Sequence, residues 1–178
     1  MTIMLVFPEL ICVSLTDRRW RNVPVVINYN LAPGALPKAD VIAMNQAGNR
    51  VFATAMVEQR GVLGSWSSGG SNEFPNWVRV TWREIISSEP HLVTGRIIGD
   101  YTVSVRDRIP SDVMTYIAAE QGRSLVLRFR LKDDGVLLAW DVQENSVRGY
   151  AYVYGMHGGD FLDPKFDNGK LTDPGWEK

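Results

Sequence analysis

The chain has 178 residues with 45% hydrophobic content, which is enough to bury a full core, and nineteen basic against twenty acidic side chains leave a formal charge of -1. That balance argues against a global field that would recruit nucleic acid or an anionic membrane. A lone cysteine, Cys12, excludes an intramolecular disulfide and every multi-cysteine zinc pattern.

Ile3 to Phe7 form an apolar run that Pro8-Glu9 interrupts before Leu10 to Leu15. The run is too short and broken to span a bilayer, so the sequence shows no direct membrane segment. It also lacks the basic lead and small-x-small cleavage site of a secretory signal. Residues 1–19 are therefore expected to form an N-terminal strand or a frayed tail, ahead of a single mainly-β domain over residues 20–154.

Within that domain VPVVINYN reads as extended, with Pro24 at an edge or first-residue position. Ala39 to Met44 and Arg50 to Val57 flank Asn45-Gln46-Ala47-Gly48-Asn49, whose amides and glycine predict a hairpin turn. The next stretch, GVLGSWSSGGSNEFPN over residues 61–76, is rich in Gly and Ser and reads as a loop. From Asn76 to Arg83 alternation returns, placing Val78, Val80 and Trp82 on one face and Trp77, Arg79, Thr81 and Arg83 on the other. His91 to Val105 is extended, bent at Gly95 and Gly99.

Residues 111–121 read as a helix. Pro110 fixes a φ near its start, Ser111 offers a hydroxyl to an orphan N–H, and Gly122 supplies the positive φ of a C-terminal cap. From Ser124 the period becomes two: Leu125, Leu127, Phe129 and Leu131 face one way, and Val126, Arg128 and Arg130 the other, as in a half-buried strand. Lys132-Asp133-Asp134-Gly135 is the turn, with Gly135 expected at positive φ, and Val136, Leu138 and Trp140 resume the core phase. Gln143 to Ser146 reads as a polar connection to a last strand at Tyr150 to Tyr154. Residues 155–178 mix Gly, Asp and Pro and are expected to form an irregular C-terminal tail. The sum, about seven to nine strands and one helix, predicts a mainly β fold, an antiparallel sheet or β-sandwich with one inserted helix at the edge of the α+β class.

Chemistry-bearing motifs are sparse. His91 and His157 are the only histidines, neither lies in HExxH, and no Gly-rich phosphate loop precedes a lysine and a hydroxyl residue. The nearest approach to a metal or proton-transfer pair is His157 with Asp160, which keeps a metal-assisted hydrolase as an alternative. GSWSSGG does not match the Gly-x-Ser-x-Gly elbow of serine hydrolases. Cys12 lies among Ile11, Val13 and Leu15, the setting of an inert thiol. The expectation is therefore no catalytic residues, no cofactor and no metal. A further alternative is a module that binds a small ligand or envelope component in a pocket between sheet and helix. The aromatics speak more for contact with a protein. Trp66, set among Gly and Ser and followed by Glu73 and Phe74, suits an interface anchor, and Trp77 with Arg79 extends it along the next strand.

The segments IPSDVMTYI, GRSLVLRFRLKDDGVLLAWDVQ and YGMHGGDF, with GSWSSGG and WVRVTWRE upstream, resemble over roughly residues 20–162 a large family of small Gram-negative proteins. These are lipoprotein-like immunity proteins encoded beside type VI secretion phospholipase or lipase effectors. The resemblance implies a partner, a cognate secreted phospholipase or lipase effector blocked by binding, and a periplasmic location. It carries no catalytic set. Glu9-Leu10-Ile11-Cys12 departs from the lipobox such proteins often carry, and without an upstream targeting segment the location implied is the cytoplasm.

Overall fold

The computed structural model describes residue 20, residues 23–58, the backbone of residues 65–68, and residues 74–88, 90–147 and 149–161. Among the described residues nine strands and one α-helix, the latter preceded by a 3-10 turn at Arg106–Arg108, follow in chain order: β1 (Val25–Leu31), β2 (Lys38–Asn45), β3 (Arg50–Val57), β4 (Ser65–Ser68), β5 (Trp77–Ser87), β6 (Val93–Ser104), α1 (Ser111–Ala118), β7 (Arg123–Leu131), β8 (Val136–Ser146) and β9 (Gly149–Gly159). They form a five-stranded sheet in the order β4-β1-β7-β8-β9 and a four-stranded sheet in the order β3-β2-β5-β6. The mainly β class with one inserted helix is thus as expected.

The two sheets face each other over one core. Ile27 of β1, Leu127 and Phe129 of β7 and Trp140 of β8 meet Val41 of β2, Phe52 of β3, Val80 and Trp82 of β5 in a single apolar cluster. Aromatic rings bridge the layers: Tyr29 stacks on Phe52 at 4.5 Å, and Phe52 meets Phe129 at 5.5 Å. In the β7–β8 hairpin Leu127 opposes Trp140 and Phe129 opposes Leu138, so the anticipated core phase is the observed one. α1 buries Val113, Met114 and Ile117 in the same core. It closes the end where β7 begins, because Arg123 donates to the Tyr116 carbonyl at 2.9 Å and the Tyr116 hydroxyl donates to Glu144 at 3.2 Å.

Several local expectations change. Pro110, not Ser111, stands at the helix N-cap, no side chain caps the first turn, and the helix stops at Ala118, with Gly122 at φ 90° after it. β1 runs parallel to β7, so the larger sheet is mixed; a parallel pair needs a long crossover, and here the whole smaller sheet and α1 supply it. Ser65–Ser68, inside the expected loop, pair antiparallel with β1. β8 continues through the expected polar connection to Ser146, and β9 runs to Gly159, into the stretch assigned to an irregular tail. Gly135 does not take positive φ and a Cβ there would meet nothing, so the four-residue turn closes instead through the Lys132 N–H to the Gly135 carbonyl at 2.9 Å.

Both faces of β7 are buried, where one was expected. Val126, Arg128 and Arg130 are as inaccessible as the core residues that alternate with them. The charge is handled by pairing: Arg128 Nε donates to Asp141 on β8 at 2.5 Å, its Nη2 donates to the Tyr152 hydroxyl at 2.8 Å, and the Phe161 ring lies 3.8 Å from the Arg130 guanidinium.

Candidate partner-binding surface

The outward face of the four-stranded sheet is built by strict alternation in β5. Val78, Val80 and Trp82 enter the core, which forces Trp77, Arg79, Thr81 and Arg83 outward. Trp77 remains 37% exposed. Arg79 holds Asp100 of β6 with two parallel bonds, Nε at 2.7 Å and Nη2 at 2.5 Å, and these hydrogen bonds keep the Asp100 carboxyl below the usual carboxylate range. Arg79 is therefore a fixed charge on the surface. Ile42 of β2, 41% exposed, pairs with Thr81 and extends the same face.

Beyond Arg83 the β5–β6 hairpin loses its ladder with β2 and stays tied to it through the Thr94 hydroxyl, which donates to Asp40 at 2.6 Å. The last pairing of β2 with β5 joins Ala39 to Arg83, after which Ile85 and Ser87 pair only with Thr94 and Val93 of β6. This two-stranded arm carries Ile86, Val93, Ile97 and Ile98, all about half exposed or more. Its base is made possible by Gly99. A Cβ at Gly99 would stand 1.9 Å from the Trp82 ring, and in its absence the buried indole lies across β6 and stacks on Tyr101 at 5.1 Å.

The five residues singled out from sequence do not form one patch. Trp77 and Arg79 lie on the four-stranded sheet. Trp66 lies in β4 opposite Ile27, at the edge of the five-stranded one, and Glu73 falls outside the described residues. Phe74 is a correction: at 5% exposure it packs against Trp20 with ring centroids 4.8 Å apart, so its side chain serves the core and not a surface contact. The arm aliphatics were missed, although Ile97-Ile98 between Gly95 and Gly99 breaks strand alternation and so signals a bulge with apolar side chains turned outward. The exposed Tyr154 was missed too. Between the pairs Gln143–Tyr152 and Asp141–His157, β9 has four residues against the single Val142 of β8, and this bulge lifts Tyr154 out to 94% exposure.

The other candidate groups are engaged structurally. Asp160 accepts from the Leu138 N–H at 2.8 Å and from Arg108 at 2.6 Å, clasping the end of β9 to β8, while His157 stands opposite Asp141 in the ladder. Among the described residues no three of His, Cys, Asp and Glu gather into a metal-binding group, and no helix is long and apolar enough to cross a membrane. Asp133, read from sequence as a turn residue, also bridges the layers: it accepts from the Leu36 N–H at 3.1 Å and from the buried Lys38 amine. Cys12 lies outside the described residues.

Comparison with known proteins adds no relative: no protein-family model, no curated protein and no solved structure matches the chain.

Proposed function

We propose that this chain is an immunity protein that binds a cognate secreted phospholipase or lipase effector and silences it by occlusion, acting at the periplasmic side of a membrane. The observation that supports binding is the set of exposed aliphatic and aromatic side chains formed by Trp77 and Ile42 on the outward face of the smaller sheet and by the four of the adjoining β5–β6 arm. Exposed apolar side chains gathered in this way mark a protein contact more often than a bare surface. Fixed charge beside them, as in the Arg79–Asp100 pair, sets orientation and rejects wrong partners through unpaired groups. The lipase class of the target rests on the resemblance of the segments quoted above.

The test is co-purification with the product of the adjacent gene, followed by a lipase assay of that product with and without this chain. Stoichiometric inhibition is expected. Absence of binding at micromolar concentrations refutes the proposal. Trp77→Ala should weaken the complex by about 1–3 kcal/mol with unchanged thermal unfolding, as for a half-exposed anchor. Trp66→Ala, measured beside it, decides whether the β4 edge joins the same interface.

A further inference from the structure

We infer that the β5–β6 arm is a wedge that enters an apolar-walled cleft of a folded protein partner, and is not a flap laid on a flat surface. The inference deepens the binding function proposed above and rests on it. It comes from how the bulged ladder distributes side chains. Ile97 pairs with Arg83, whose side chain faces outward with Trp77 and Arg79. On the reverse face, a Cβ at Gly95 would meet Glu84 at 3.0 Å and the Ile86 side chain at 3.2 Å, so Ile86 projects from that side. A flat partner covers one face of a two-stranded ribbon and leaves the other in water, whereas a cleft covers both.

The tip points to protein rather than bilayer. Of the described residues that join β5 to β6, Ser88, Pro90 and His91 are exposed and Leu92 is half-buried, and the exposed aliphatic side chains stand behind them on the strands, where a membrane-inserting hairpin would carry them at the apex. Area speaks against self-association through the arm. Ile86, Val93, Ile97 and Ile98, at 64, 48, 49 and 54% exposure, leave on the order of 400 Å² of aliphatic surface, a recognition patch in size. A stable pair needs roughly 800 Å² per partner, so two arms alone fall short and a larger protein that also covers the adjoining sheet face is required. The bulges that shift register at Trp82/Arg83 and Arg83/Ile85 also break the regular edge that a second copy of β6 would need for strand pairing. Arg83 and Arg96 flank Ile97, but Arg96 is paired with Glu84 at 3.8 Å and Arg83 donates to the Gly95 carbonyl at 3.0 Å, so the cleft is expected to meet a mixed-charge rim and to match it with polar groups of both signs.

The experiment places a charge on one face at a time. Ile86→Glu and Ile97→Glu are titrated against the purified product of the adjacent gene, with Ile86→Thr and Ile97→Thr as versions that keep strand propensity. Each Glu variant should weaken binding at least about 30-fold and each Thr variant about three- to tenfold, with near-unchanged melting temperatures. If only one face matters, the arm lies flat and the wedge is wrong. If wild type binds and no arm variant differs, the wedge is wrong while the proposed function stands; if wild type does not bind at all, both fall. Co-sedimentation of wild type with vesicles of phosphatidylcholine and phosphatidylglycerol at three to one, lost in Ile97→Glu, would assign the arm to a bilayer and overturn the protein cleft. Self-association lost in the same variant would overturn it in favour of a second copy.

Discussion

Gly99→Ala is the sharpest test of how the arm is joined to the sandwich. The Cβ it adds would stand 1.9 Å from Trp82 Cε2 and 2.4 Å from Cδ2 and Cζ2. Carbon atoms rest at about 3.5–4.0 Å, so the indole must move by roughly 1.5–2 Å or β6 must lift away. Trp82 has little room, being 2% exposed and held between the Tyr101 ring and the Lys38 amine, which lies 5.6 Å over its ring. Expelling the side chain altogether would cost about 5–6 kcal/mol, taking ~200–250 Å² at ~25 cal/mol/Å² as an upper bound. A partial slide with strained rotamers costs about 1–3 kcal/mol. The expected loss is ~3 kcal/mol, or a melting temperature lower by about 6–12 °C for a chain of this length. Thermal and urea unfolding measure it, and a red shift of tryptophan emission reports the displaced ring. Gly135→Ala is the control, since nothing lies near that position and φ there is not positive; it should stay within about 0.5 kcal/mol. In a Trp82→Val background the Gly99→Ala penalty should fall below ~1 kcal/mol, because the obstructing ring is gone. A loss under ~1 kcal/mol in the wild-type background, or an unchanged penalty without the indole, refutes the collision.

Other perturbations read other parts of the fold. Phe129→Ala, at a fully buried position in contact with Phe52, should cost about 3–5 kcal/mol by equilibrium unfolding. Arg128→Met or Asp141→Leu alone should cost about 3–5 kcal/mol by stranding a buried charge, and the double variant should recover most of it; additive losses would show that the pair is not coupled. The Lys38 hydrogen bond, with the Leu36 N–H behind it, holds the Asp133 carboxyl below the ordinary carboxylate range. A carboxyl with a depressed folded pKa stabilises above its unfolded value near 4 and loses that contribution as pH falls through the folded value. Stability should therefore fall as the solution is acidified below about pH 4. Asp133→Asn should flatten part of that fall while costing about 1–3 kcal/mol at neutral pH, because the amide oxygen can still accept from the buried Lys38 amine but no longer balances its charge.

What the sequence reveals here is local. The alternation in WVRVTWR places Trp82 in the core and Trp77 outside because a strand sends successive side chains to opposite faces whatever it pairs with. The Asn45 to Asn49 turn is legible for the same kind of reason. Gly48 sits at φ 75° and the Asn45 side chain accepts from the Ala47 and Asn49 N–H groups at 3.0 and 2.9 Å, all within five residues. The helix starts at Ser111 as expected and only its cap differs, since Pro110 stands at the N-cap and no side chain bonds the first turn.

The rest depends on which segments meet, and periodicity is silent about that. A period of two in SLVLRFRL says that β7 has two faces. That both are covered follows from β7 sitting in the centre of the larger sheet, between β1 in parallel and β8 in antiparallel, a position fixed by strands far away in sequence. Arg128 and Arg130 look solvent-facing in one dimension because arginine normally is; burial becomes tolerable only because Asp141 and Tyr152 arrive on β8 and β9 to satisfy Arg128 and Phe161 arrives over Arg130. The candidate site fails to show for the complementary reason. The Ile-Ile step in β6 reads as core material, yet bulges shift the ladder at Trp82/Arg83 and again at Arg83/Ile85, the pairing of β2 with β5 ends at Arg83, and Ile97 and Ile98 stay about half exposed. An aliphatic residue becomes a surface feature when its strand outruns the layer it would have packed against. That length mismatch between β2 and the β5–β6 hairpin, more than any motif, is what gives this sandwich an arm with exposed aliphatic side chains.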